Sequence, residues 1–145
     1  MYKQKGFTII ELIVVIAIIA ILAAIVMMNV TGYINKGKDA AARGDLATLQ
    51  ANAIIFNSDS TKGNGTFNGF LSDPTYTQVS TALTNLAYTL TSKCNDTNGL
   101  CATTNATTWC ASVPLKADTT KSYCVDSSGN KKEAASETCA SGACP

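Results

Sequence analysis

The sequence contains no histidine in its 145 residues. That absence removes Ser-His-Asp and Cys-His nucleophile systems and every metal site that needs an imidazole. Its six cysteines show no Cys-x-x-Cys spacing, which argues against a structural zinc site and against a redox-active thiol pair. Charge is sparse, at 14% of residues, and nearly balanced at a formal net +1, so bulk electrostatics do not indicate a nucleic-acid partner. Neither paired carboxylates nor a hydroxyl beside a base stands out for catalysis. The expectation is a protein that is not an enzyme and takes no cofactor.

What is present is a long apolar run. Seventeen consecutive apolar residues extend from Leu12 to Met28. The helix-compatible stretch Phe7–Thr31 is 25 residues, or roughly 37 Å at ~1.5 Å per residue. That crosses a hydrocarbon core of ~30 Å with some tilt. The length of the whole chain suits one domain plus such a segment. The single charge inside the stretch is Glu11. A carboxylate in a spanning helix costs about 2.5–3.5 kcal/mol on insertion scales and is usually paired or functional. No Lys or Arg lies nearby on the helix side. A cut between Gly6 and Phe7 would create an α-amino group one helical turn from Glu11, and that amine, or a neighbouring subunit's, would neutralise the acid.

Lys5-Gly6-Phe7-Thr8-Ile9-Ile10-Glu11-Leu12 resembles the prepilin signature of type IV pilins and of their relatives, the type II secretion pseudopilins. The resemblance covers residues 1–31. It implies that a membrane peptidase cuts after Gly6 and that Phe7 becomes the N-methylated terminus. It further implies that Phe7, Thr8 and Glu11 serve filament assembly. Residues 1–6 are then the leader, 7–31 the transmembrane and filament-core helix, 32–57 an amphipathic upper helix, and 58–145 a globular head. The implied partners are identical subunits, the prepilin peptidase, the pilus assembly platform and, before assembly, the lipid bilayer. A host-cell or other surface receptor belongs to the same set, as does DNA, although charge does not favour it. Removing the leader deletes Lys3 and Lys5 and leaves a net charge of −1. Those lysines stay cytoplasmic by the positive-inside tendency, so everything after Thr31 faces outward. Many pilins carry a proline in the membrane half; this chain has none there.

Beyond the span, Ala42, Leu46, Leu49, Ala53 and Phe56 recur at helical spacing, while Asp45, Thr48, Asn52 and Ser58 take other faces. The spacing predicts one helix from Phe7 to Asn57, roughly 76 Å long. Gly32, Gly37 and Gly44 each cost about 1 kcal/mol against alanine and mark sites of local bending or unwinding. From Ser58 to Ser72 the composition turns to Asn, Gly, Ser and Thr. Gly63-Asn64-Gly65-Thr66 lacks the lysine and strand of a phosphate loop and reads as a turn. Asp73-Pro74 is a helix start, an N-cap aspartate before a first-turn proline, and the helix should reach about Leu86. Ala87–Lys93 remains open between helix and strand.

Trp109–Val113 and Ser122–Asp126 alternate as strands. Paired as an antiparallel hairpin around Lys116–Thr119, they would set Cys110 opposite Cys124, Trp109 opposite Val125, Ala111 opposite Tyr123 and Ser112 opposite Ser122. The apolar pairs then share one face, free to cover Leu46, Leu49 and Phe56, and a one-residue slip would scramble the sorting. Asp126–Asn130 is a polar turn. The fold class is therefore α+β, the type IV pilin fold by resemblance: a long N-terminal helix with its C-terminal half packed on a small antiparallel β-sheet and a disulfide-rich head. Cys94, Cys101, Cys110, Cys124, Cys139 and Cys144 are an even set in the outward half, which argues for disulfides in an oxidising compartment. Fifteen pairings exist in principle, and proximity favours Cys94–Cys101, Cys110–Cys124 and Cys139–Cys144. Asp118, Asp126 and nearby turn oxygens are a Ca²⁺ candidate, with solvated turn carboxylates the commoner case. The aromatic residues beyond Phe7 belong to the core or to subunit contacts.

The resemblance implies a major pilin, held in the cytoplasmic membrane as a precursor and then exported into a surface filament for adhesion, twitching or DNA uptake. A type II secretion pseudopilin is the alternative within the family. From another class, the rival is a secreted disulfide-rich binding protein whose apolar run is a signal peptide cut near Ala23.

Overall fold

The computed structural model describes residues 6–95, 106–135, 139 and 142–145, and of residues 28 and 29 the backbone only. The leader lysines and Cys101 lie outside that set. The chain divides into two compact units, Met1–Asn35 and Lys36–Pro145.

A single helix, α1, occupies Ile9–Ser58 and is uninterrupted at Gly32, Gly37 and Gly44. It starts on Thr8 and ends in a turn that satisfies its last carbonyls. Gly63 N–H donates to Phe56 O at 3.1 Å and Gly65 N–H to Asn57 O at 2.8 Å. Asn64 and Gly65 adopt positive φ, 46° and 83°, and a Cβ on Gly63 would overlap the carbonyls of Phe56 and Thr66. This is the turn expected of Gly63–Thr66. A short 3₁₀ turn, Phe70–Ser72, leads to α2, Pro74–Asn85. Asp73 caps α2, its carboxylate accepting from Thr75 N–H at 2.9 Å, with Pro74 in the first turn.

Among the described residues four strands follow: β1 Thr91–Cys94, β2 Trp109–Pro114, β3 Lys121–Asp126 and β4 Lys131–Ala135. They form one antiparallel sheet in sequence order. The open stretch after Ala87 thus resolves as loop and strand. β4, Lys-Lys-Glu-Ala-Ala, has no β-branched or aromatic residue, and its pairing with β3 overrides weak propensity.

The β2–β3 register differs from the expected one by two positions. Cys110 faces Asp126, Ala111 faces Val125, Ser112 faces Cys124 and Val113 faces Tyr123. A shift of two preserves which face each side chain occupies, so the sorting survives. Trp109, Ala111, Val113 and Val125 lie in one core with Ala42, Leu46, Leu49, Ala53 and Phe56 of α1. Phe70 sits among four rings, with centroids 5.1 Å from Trp109, 5.3 Å from Phe56, 5.7 Å from Tyr76 and 6.4 Å from Phe67.

The register also corrects the cysteine pairing. Cys110 and Cys124 are diagonal rather than opposite; diagonal Cα atoms lie ~7–8 Å apart, beyond ordinary disulfide reach. The bonds are instead Cys110–Cys139 and Cys124–Cys144, with Cα separations of 5.7 and 5.8 Å. Neither Cys110–Cys124 nor Cys139–Cys144 forms; the C-terminal tail is stapled to the sheet face opposite the helix. Cys94 is itself disulfide-bonded, and its expected partner Cys101 is outside the described residues.

Candidate functional site

The N-terminal residues expected to matter come together around the first turn of α1. Gly6, Phe7 and Thr8 precede the helix in non-helical conformation and are exposed. Thr8 N–H and Thr8 Oγ1–H both donate to Glu11 Oε2, at 2.8 and 2.6 Å, and Glu11 N–H donates back to Thr8 Oγ1 at 3.3 Å. That is a capping box, in which a threonine and the acid three residues later satisfy each other's free N–H groups. The Thr-x-x-Glu spacing was its signal in the sequence. Glu11 therefore has a local partner before any amine appears. Only one of its oxygens is engaged, and Oε1 accepts no hydrogen bond among the described residues.

After Glu11 the helix presents apolar side chains on every side. Leu12, Ile16, Ile19, Leu22 and Val26 are all exposed, and an 18-residue window reaches a mean hydropathy of 3.3 with none of it buried. Length and composition suffice for a membrane span.

In the second unit, Lys36–Pro145, buried carboxylates hold the connections in place. Asp39 lies on the apolar face of α1, in phase with Ala42 and Leu46, and that phase was the sequence signal for it. It accepts from Tyr88 Oη–H, from Lys116 N–H at 2.8 Å and from Ala117 N–H at 2.9 Å. Burial pushes its carboxyl up, but these donors and Arg43 outweigh it and leave the group below its usual value. Tyr88 is correspondingly pushed up, by burial first and then by Asp39. Arg43 pairs with Glu133 and lies 5.5 Å from the Tyr123 ring centre. Lys62 Nζ meets Asp73 at 2.8 Å.

The two carboxylates of the calcium candidate sit at separate places. Asp118 precedes β3 and is engaged by Thr120 and Lys121. Asp126 ends β3, fully buried, its oxygens taken by Ser128 N–H, Asn130 N–H, Asn130 Nδ2–H and Cys144 N–H. Among the described residues no group of three metal-ligating acids or cysteines forms. Of the aromatic residues, Phe56, Phe67, Phe70, Tyr88 and Trp109 are core, and Tyr33 is 73% exposed.

An exposed N-terminus leads into a long apolar helix, and a disulfide-stapled α+β head follows. Residues 1–27 match the family model of the prokaryotic N-terminal methylation motif. The chain is 53% identical over 47 residues to a type IV major alpha-pilin of Moraxella bovis, and equally to fimbrial protein Q of the same organism. Each alignment covers 32% of this chain and 30% of the relative. It is also 32% identical over 68 residues to type II secretion system core protein G of Pectobacterium carotovorum subsp. carotovorum, covering 47% of this chain and 44% of that one. The matched part thus spans less than half of these relatives' lengths. No solved structure matches. The chain carries the N-terminal methylation motif, and its α+β architecture is consistent with the type IV pilin fold.

Proposed function

We propose that this chain is the major structural subunit of a type IV pilus. The observation that carries the reading is the methylation-motif match over residues 1–27. The prepilin peptidase cuts the exposed Gly6–Phe7 bond, and Phe7 becomes the methylated terminus. The cut leaves Thr8 N–H in place, so the capping box that starts α1 survives processing. The assembly platform then moves residues 7–31 from the cytoplasmic membrane into a bundle of identical copies. Packing between apolar helices supplies the gain, since lipid is as apolar as the bundle. Glu11 sets the register, because Oε1 is satisfied only where a terminal amine stands opposite. Residues 32–57 and the head, 58–145, face outward, where the filament serves adhesion to a receptor-bearing surface, twitching or DNA uptake.

Mass spectrometry of sheared surface material tests this: the peptide that begins at Phe7 should carry an N-methyl group. Glu11→Ala should insert in the membrane normally yet fail to enter filaments. Normal filament yield from that variant removes the assembly role of the acid.

The similarity to a secretion core protein supports a second reading, a pseudopilin. A secretion defect without surface fibres in a deletion strain would favour it. A mature chain that begins near Ala23 or Ala24 would instead make this a secreted binding protein with a cleaved signal.

A further inference from the structure

On the sheet face opposite the helix, four side chains occupy the corners of a square. Cys110 and Ser112 are neighbours along β2; Asp126 stands opposite Cys110 and Cys124 opposite Ser112 on β3. The cysteines therefore take one diagonal and two buried oxygen acceptors, the Ser112 hydroxyl and the Asp126 carboxylate, take the other. The tail engages both diagonals. Cys139 N–H donates to Ser112 Oγ at 3.2 Å while its sulfur is bonded to Cys110. Cys144 N–H donates to Asp126 Oδ2 at 3.2 Å while its sulfur is bonded to Cys124.

Nearness alone does not choose this pairing. Around the Ser112 corner, Cys124 stands directly across, ~5 Å from Ser112 between Cα atoms, and Cys110 two residues along the strand, ~6.6 Å away. The Asp126 corner offers the mirrored choice. Each acceptor is thus flanked by both sheet cysteines, so the pairing turns on where the tail main chain is held. We propose that Ser112 and Asp126 are disulfide-sorting residues, which hold Cys139 and Cys144 by their main-chain N–H groups so that oxidation gives Cys110–Cys139 and Cys124–Cys144.

Asp126 is ready for this before the tail arrives. Its carboxylate is already oriented by Ser128 and Asn130, and its carbonyl accepts from Gln50 Nε2–H on α1 at 2.7 Å. Two residues before Cys144, Gly142, at φ 79°, lies so close to Thr108 that a Cβ would overlap it. The chemistry is thiol–disulfide exchange. A sheet thiolate attacks a small-molecule disulfide and releases one thiol. The tail thiolate then attacks the mixed disulfide and releases the second. Each protein bond costs two thiol protons and transfers two electrons to the oxidant, which leaves as two thiols.

The test is oxidative refolding of the reduced full chain in detergent micelles with reduced and oxidised glutathione, followed by alkylation and mapping of disulfide-linked peptides. The wild type should yield the two native bonds. Ser112→Ala and Asp126→Ala should each lower the ratio of native to mispaired tail bonds by about fivefold, the effect of one hydrogen bond. The double variant should approach the product of the two. Ser112→Thr, which keeps the hydroxyl oxygen as acceptor, should stay near wild type. The pairing of Cys94 should be unaffected throughout, whereas a general loss of fold would scramble it as well. Ser112→Ala removes only a hydroxyl, so it decides the matter if Asp126→Ala fails to fold. Wild-type pairing ratios in Ser112→Ala and in the double variant overturn the proposal.

Discussion

The two units use one helix in two ways. From Ile9 to Val30 the apolar side chains of α1 have no preferred side, and all those described are exposed. From Ala42 to Phe56 they recur every three or four residues and are buried by the chain's own head. An unphased apolar surface calls for an apolar covering on every side, whereas a phased one can be covered by a sheet. The difference assigns separate tasks to the two parts, and each of the following substitutions is aimed at that separation.

The largest effect should come from the phased part. Leu46 is fully buried, and Leu46→Ala should cost about 3–4 kcal/mol, a large share of a domain's stability. Ile16, 56% exposed in the unphased part, should give a matched control: Ile16→Ala should change head stability by less than about 0.5 kcal/mol. Near-ultraviolet circular dichroism of Trp109 during thermal unfolding, in detergent, reads both. Equal shifts would mean that the head depends on the lower helix after all.

Next is Asp39, the one carboxylate on the buried face of α1. Asp39→Ala leaves Tyr88 Oη–H and the N–H groups of Lys116 and Ala117 without their acceptor, a loss of about 3 kcal/mol. Tyr88→Phe removes one donor and should cost about 1 kcal/mol. If the two variants melt alike, the main-chain donors have found another acceptor.

What the sequence made legible follows the same division. Helical phase located Ala42, Leu46, Leu49, Ala53 and Phe56, and the same phase contained Asp39, passed over because it is acidic. Alternation located the two faces of β2 and β3 but not their register, because a period of two is blind to a shift of two. The disulfides were lost with the register: sequence proximity paired Cys110 with Cys124, while the tail that reaches them passes through residues with no periodic signal. β4 was invisible because Lys131–Ala135 is a strand by partnership rather than by propensity. At the N-terminus, Thr8 and Glu11 were both singled out, but their mutual hydrogen bonds were missed although Thr-x-x-Glu encodes them.

Acid should weaken the head more gently. Lys62 and then Thr75 hold Asp73 down to about 2, against its ordinary value of 3.8, despite burial. The folded state therefore favours the ionised acid. Its contribution is complete above about pH 4 and drains away as pH falls toward about 2. Asp39 and Asp126 are shifted in the same direction. The melting temperature should fall across that window, and Asp73→Asn, which keeps an N-cap, should flatten part of the fall. A profile unchanged by Asp73→Asn would leave the decline to Asp39 and Asp126.

The smallest effect, and the only gain, concerns the link between α2 and β1. Ala87 holds φ 61° just past the end of α2, where Ala87 N–H donates to Thr84 O at 2.8 Å and Tyr88 N–H to Leu83 O at 2.9 Å. This closes the helix with a left-handed residue, a position that favours glycine. An L side chain there costs about 1–2 kcal/mol, and the freedom glycine adds to the unfolded chain offsets part of the relief. Ala87→Gly should therefore raise head stability by about 0.5–1 kcal/mol. The strain is retained because Tyr88 must turn inward to reach Asp39, and the chain between Leu86 and Tyr88 has one residue in which to make that turn. If Ala87→Gly destabilises instead, the alanine methyl makes a contact worth more than the strain, and the turn is held by packing rather than by the Tyr88–Asp39 bond.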